Sequence, residues 1–318
     1  MKMNFSTDEI LEWKKIIPEL QHLSDEEIDN RLSCHLTELE CENISALPES
    51  IAKIKNLEYL SLSSCENITH LPDSMRELEY LTSLNIEHTS VLPDNIDILK
   101  NLEYLSFAFI QNLTHLPDNI GKLENLISLD MEFVDFITLP ETIGQLKNLN
   151  ELSIENSCIS ELPETIGALE SLEYLTLYQL ELVTLPETIV QLKKLRTLNL
   201  MLCSNLISIP NCVTQLKNLE LLDLGYCHHL STLPEDIGNL TNLTELNLYE
   251  CLQLTVLPES IGQLTNLLSL GLNDCQNIIT ILEKVGQFEN LQELSLPDDF
   301  DVATLPEKVK QIKGLKII

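Results

Sequence analysis

Apolar residues in this chain follow two alternating rhythms. Stretches such as Leu246-Asn247-Leu248 have a period of two, which puts both leucines on one face of a β-strand. Further on, Leu257-Pro258 breaks the pattern. Proline supplies no ladder donor and restricts the residue before it, so a strand stops there. The next stretch, Pro258-Glu259-Ser260-Ile261-Gly262-Gln263-Leu264, reads as a short helical or 3₁₀ turn with an acid at its positive N-terminal end. Glycines at Gly121, Gly144, Gly167, Gly238 and Gly262 are expected to let the chain leave such turns.

The two rhythms recur together. A Leu-Pro or Ile-Pro pair returns every 21 to 24 residues from Leu47 to Leu257 and again at Leu305, and Ile281-Leu282 fills the slot between without a proline. Between the pairs lies L-x-x-L-x-[LIMF], first at Leu36 (with Cys41 in its last place) and for the twelfth time at Leu291, with a thirteenth start at Leu315. One such unit cannot bury its own leucines, whereas a stack of them can.

This signature resembles the leucine-rich repeat (LRR) over residues 36–318. The longer form, L-x-x-L-x-L-x-x-C-x-x-[LI]-x-x-L-P, is similar to repeats of plant intracellular immune receptors and of injected bacterial effector proteins. The resemblance implies an α/β fold: a curved horseshoe solenoid with a parallel concave sheet of 12–13 strands, short helical or 3₁₀ turns on the convex side, and a binding role. No G-x-x-x-x-G-K-[ST] nucleotide loop is present, so the chain is not a whole immune receptor of that kind.

Residues 1–35 carry a different pattern. Ser6 and Ser24 each start a helix-like stretch, Ser24 standing three residues before Glu27 in capping-box spacing. We expect a helical N-terminal cap over the first coil, since solenoids need their ends covered. At the other end Gly314-Leu315-Lys316-Ile317-Ile318 begins a strand without a polar cap. An unprotected edge of that kind predicts weak self-association.

Charge narrows the choice of partner. The chain has 19 Lys+Arg against 50 Asp+Glu, a net charge of −31. Phosphate backbones and anionic lipids are repelled, so neither nucleic acid nor a membrane surface is expected as partner. A protein with a basic surface is the partner that steering favours. Nine cysteines without a compact disulfide spacing fit a reducing cytoplasm, that of a host cell if the protein is injected. No secretory h-region is seen near the start of the sequence.

Candidate chemistry is sparse. Cys65, Cys203, Cys227, Cys251 and Cys275 share one repeat position, where other units carry Thr89, Ile110 and Val134. Small core residues, rather than metal ligands, explain that exchange. Cys34-His35 and Cys227-His228-His229 place thiols beside imidazoles in sequence, but nothing brings nucleophile, base and orienting group together. We expect no enzyme activity, no metal and no cofactor. Asn56, Asn101, Asn125, Asn148, Asn218, Asn242, Asn266 and Asn290 precede eight strands and should bond turn backbone.

What remains is the concave face. The third, fifth, seventh and eighth positions of each motif should point there, forty-eight positions in twelve units. Acids hold fourteen of them, while Lys and Arg hold none. The candidate partner-binding residues are Tyr104, Phe109, Phe133, Tyr174, Tyr178, Met201, Leu202, Leu221, Tyr226 and Tyr249, with the acids Glu132, Glu155, Asp223, Glu245 and Glu250. Aromatic and Met anchors inside a polar rim are typical of binding surfaces. The densest run, Tyr178 to Tyr249 in units seven to ten, is the expected centre. The expected function is recognition of a basic or amphipathic protein segment. The alternative is an adaptor for a separate ligase or phosphatase, docked through the N-terminal helices or the convex side.

Overall fold

A computed structural model describes residues 4–275 and 278–318. It contains one open sheet of thirteen parallel strands that pair strictly in chain order. The strands are β1 (Glu38–Glu42), β2 (Tyr59–Ser63), β3 (Ser83–Glu87), β4 (Tyr104–Ile110), β5 (Ser128–Val134), β6 (Glu151–Ser157) and β7 (Tyr174–Leu180), followed by β8 (Thr197–Asn199), β9 (Leu221–Asp223), β10 (Glu245–Asn247), β11 (Ser269–Gly271), β12 (Glu293–Ser295) and β13 (Lys316–Ile317). Register follows the repeat: Leu129 pairs Leu152, which pairs Leu175. Fourth and sixth positions such as Leu152 and Ile154 are buried, and one continuous hydrophobic cluster runs the length of the solenoid.

After each Leu-Pro comes a 3₁₀ turn, as at Glu141–Gln145 and Glu164–Ala168, closed by Leu146 N–H to Ile143 C=O and Leu169 N–H to Ile166 C=O. These turns are bulkier than a strand, which places the sheet on the inner, concave side. Where the proline is missing, the chain instead forms an eight-residue α-helix, Ile278–Val285.

The repeat glycines have a different role from the one the sequence suggested. None of Gly121, Gly144, Gly167, Gly238 or Gly262 has positive φ; among the described glycines only Gly314 does. They are small because the next coil lies against them. A Cβ on Gly121 would sit 2.4 Å from the Thr142 carbonyl oxygen, and one on Gly238 2.1 Å from that of Ser260.

The Asn positions do bond turn backbone. Asn125 Nδ2 donates to Lys100 C=O at 2.8 Å and Asn242 Nδ2 to Lys217 C=O at 2.8 Å, each tying one coil to the one before. The cysteine column is a core element. Cys203, Cys227, Cys251 and Cys275 are buried, and their thiols donate to the carbonyls of Leu177, Leu200, Leu224 and Leu248 at 3.0 to 3.2 Å.

At the N-terminus, α1 (Thr7–Ile16) and α2 (Asp25–Asn30) each begin at a capping box, Ser6 with Glu9 and Ser24 with Glu27. Phe5, Ile10, Trp13, Leu20, Ile28 and Leu32 are buried in the same cluster as the first coil. At the other end the register differs by one residue from expectation. Lys316 pairs Glu293, so Gly314, not Leu315, holds the first position of the thirteenth unit.

Candidate recognition surface

The ladder turns repeat positions into rows across the concave face. The third row runs Tyr104, Ser128, Glu151, Tyr174, Thr197, Leu221, Glu245. The fifth runs Ser106, Asp130, Ser153, Thr176, Asn199, Asp223, Asn247 along the same strands. A seventh row, Glu42, Ser63, Glu87, Ala108, Glu132, Glu155, Tyr178, runs from β1 to β7 and ends there.

From β8 to β12 the strands shorten to three residues, and in β8, β9 and β10 the cause lies in the fifth row. Asn199, Asp223 and Asn247 each accept, through Oδ1, the N–H two residues on, at 2.9, 2.9 and 3.1 Å. Such an Asx turn curls the backbone before a seventh residue can join the ladder. The N–H of Cys203, Cys227 and Cys251 then donates to the carbonyl of Leu200, Leu224 and Leu248, closing the turn. Asp223 Oδ1 also accepts from Asn247 Nδ2 at 2.9 Å. Its carboxylate therefore serves the fold.

The eighth position does not simply continue the strand. In all of the first eleven units it takes positive φ, from Asn43 (55°) through Phe109 (54°), Phe133 (50°), Leu202 (63°) and Tyr226 (60°) to Asp274 (57°). That region is unfavourable for bulky side chains. Here the periodicity of the coil imposes it, because the ninth residue must turn back into the core. Spacing between strands then stacks eighth-row rings on one another. Phe109 and Phe133 are parallel within 9° at 5.0 Å, and His88 lies on Phe109 at 4.7 Å and 5°. His88 escaped the sequence reading, although it occupies the column one unit before Phe109.

The candidate residues fall into two groups. Tyr104, Phe109, Phe133 and Tyr174 are 48, 37, 45 and 39% exposed. Tyr178, Met201, Leu202, Leu221, Tyr226 and Tyr249 are half-buried. Tyr226 and Tyr249 stack at 5.7 Å, with His228 edge-on to Tyr226. Glu250 lies 3.5 Å from His228, and burial, with Tyr226, Asp274, Asp298 and Glu250 nearby, pushes the Tyr249 phenol up. Tyr178 and Met201 stand where the seventh row ends and are not ladder partners.

Carboxylates cluster around β5 and β6. Glu132 and Glu155 are neighbours in the seventh row, and Asp130 lies beside them. Burial, then the charges of Glu155, Glu132 and Glu151, pushes the Asp130 carboxyl up, while the Ser153 hydroxyl donates to Glu155 at 3.2 Å. Among the described residues none of these four acids makes an ion pair, and no Lys or Arg stands in the third, fifth, seventh or eighth row of the first twelve units. Arg196 pairs Glu220 at 2.9 Å in the second row, where the strands begin.

The Cys227 thiol donates to backbone, and His229 Nδ1 contacts the Ser204 carbonyl at 2.6 Å. Among the described residues no group of three or more His, Cys, Asp or Glu is placed to hold a metal ion.

Solved structures share this architecture. A leucine-rich-repeat protein of Leptospira interrogans, LIC12759, matches 91% of this chain and 97% of its own length at 26% identity and a TM-score of 0.51. The leucine-rich repeat domain of the type III effector XopL matches 74% of this chain and 88% of its own at 27% identity and a TM-score of 0.60. Toll, in the Drosophila Toll–Spatzle complex, matches in fold, with 23% identity, a TM-score of 0.68, and 81% of this chain but 36% of its own covered. No family model and no curated protein sequence matches the chain.

Proposed function

Because this chain is a leucine-rich-repeat protein, we propose that it is a non-enzymatic recognition module whose concave sheet grips a basic or amphipathic segment of another protein. One observation carries the reading. The concave rows bear exposed aromatics and carboxylates, with no Lys or Arg at the third, fifth, seventh or eighth position of the first twelve units. Aromatic groups supply affinity there, and the acidic field raises the association rate and sets specificity. Likeness to the repeat domain of a type III effector supports a target in a host cytoplasm.

The test is crosslinking capture from eukaryotic cytosol with the wild type, a Tyr178→Glu/Met201→Glu/Tyr226→Glu variant and a Phe109→Asn/Phe133→Asn variant, each verified as folded. A partner held by the wild type and lost by either variant is expected, with an on-rate that falls as salt rises. Equal capture by all three, or a salt-independent on-rate, counts against the concave face.

A second reading has its own observation. Leu11 on α1 is 51% exposed, and a groove lined by Glu12, Lys15, Ile16 and the loop Asn43–Pro48 lies beside it. An adaptor docking there would lose its partner on Leu11→Glu with the concave face untouched. Removing residues 1–35 is no clean test, because Trp13 and Ile28 are part of the core.

A further inference from the structure

The ring column in the eighth row stops abruptly. It runs His88, Phe109, Phe133, and the next member is Asn156 on β6. Phe133 has one ring face against Phe109, and among the described residues no aromatic ring covers the other. Strand spacing puts the next level of the column roughly 4.8 Å beyond the Phe133 ring, the distance of one stacked flat group. A short polar side chain occupies that level. Beside it in the seventh row stand Glu132 and Glu155, with Asp130 behind them, all without a cation.

We propose that the open face of Phe133 takes the guanidinium group of an arginine in the bound segment, the plane lying over Asn156 and its N–H groups directed to Glu132 and Glu155. This rests on the reading of the concave face as the recognition surface and names the chemistry of its anchor. The shape fits guanidinium better than ammonium. Guanidinium is flat, weakly hydrated and stacks on aromatic faces, and its fork of donors suits two carboxylates. A lysine ammonium satisfies the charge but not the layer. The upward shift of the Asp130 carboxyl agrees: burial causes most of it, and a cation placed here relieves the repulsion from Glu155 and Glu132 that adds to it.

The test is NMR of the full chain with ring-labelled phenylalanine, which gives seven residues to resolve. The probes are N-acetyl-arginine methylamide, its lysine counterpart and its uncharged citrulline counterpart. The arginine probe is expected to shift the Phe133 and Phe109 signals saturably, the lysine probe to bind several-fold more weakly, and citrulline to leave them still. Glu132→Gln/Glu155→Gln should abolish the shift while the unliganded ring signals stay in place. Phe133→Asn, which copies the residue type of Asn156 in the same row, should abolish the Phe109 shift in a folded protein. Equal response to arginine and lysine, or a Phe109 shift that survives Phe133→Asn, overturns the stacked subsite. A basic amphipathic peptide that binds at Tyr226 and Tyr249 instead overturns this anchor and leaves the recognition surface standing. A sheet that responds to no cationic probe or peptide overturns both.

Discussion

Trp13 and Ser50 lie 37 residues apart in the chain, yet the indole Nε1 donates a 3.0 Å hydrogen bond to the Ser50 hydroxyl, and both residues are buried. The bond joins α1 to the 3₁₀ turn of the first coil. Ser50→Ala leaves a buried N–H without an acceptor, which costs about 1–3 kcal/mol. In a Trp13→Phe background the same substitution should cost much less, because the orphaned donor is gone. Urea unfolding of the four proteins, followed by circular dichroism, gives the coupling directly. Additive effects would mean that the bond does not hold the helices to the coil.

Gly144→Ala should destabilise, contrary to the usual benefit of removing glycine from a position with ordinary φ. Its Cβ would meet the Thr165 carbonyl oxygen at 2.5 Å. Overpacking of this kind costs about 1–3 kcal/mol. A raised urea midpoint would show that the coils can separate without penalty.

The cysteine column predicts both reactivity and alkaline stability. Burial pushes the Cys203 and Cys275 thiols from 9.0 up to about 11. Exposed Cys34 and Cys158 should react with maleimide in the native protein, while the buried column reacts only after unfolding. The sign with pH follows from linkage. Below pH 9 both states keep the proton; between about 9 and 11 only the unfolded state releases it, so stability falls with rising pH. Cys203→Ala should flatten that fall, and an unchanged slope would assign it to other groups.

Asp223 separates a structural acid from a recognition acid. Its Oδ1 accepts from Gly225 N–H and Asn247 Nδ2, both at 2.9 Å. Asp223→Asn keeps an acceptor there, as Asn199 does one coil earlier, and should fold with unchanged stability. Asp223→Ala should cost on the order of 1–2 kcal/mol. Loss of stability in the Asn variant as well would show that the charge itself is required.

The repeat made the strands, their parallel order and the buried cysteines legible, because a fixed period forces identical neighbours onto each position. Leu152 under Leu175 could be read from spacing alone. What stayed hidden depended on contacts between coils. Gly121 looked like a turn residue until the Thr142 carbonyl was seen against it. Asp223 looked like any concave acid, since nothing in its own unit reveals the Asn247 amide that bonds it. His88 was missed because histidine does not stand out in a column of Phe until left-handed backbone and strand spacing stack the rings.

Asp130 tests whether the acidic face is kept at a cost. Burial and the Glu155 charge raise its carboxyl pKa, so ionised Asp130 opposes folding at neutral pH. A raised folded-state value means that relative stability is present below the unfolded value and lost as pH rises through the folded one. Asp130→Asn should therefore stabilise the protein at pH 7, with the gain shrinking as pH falls below the carboxylate range. The same variant removes a negative charge beside Glu132 and Glu155 and should weaken binding of a cationic segment. Thermal melts at pH 7 and pH 4, with titration of a basic peptide, measure both effects. A variant that is more stable and binds less well is what a surface under selection for recognition predicts, since repulsion that folding alone would remove is retained for the partner. A variant that gains stability and binds equally well would leave the acidic cluster without a role in recognition.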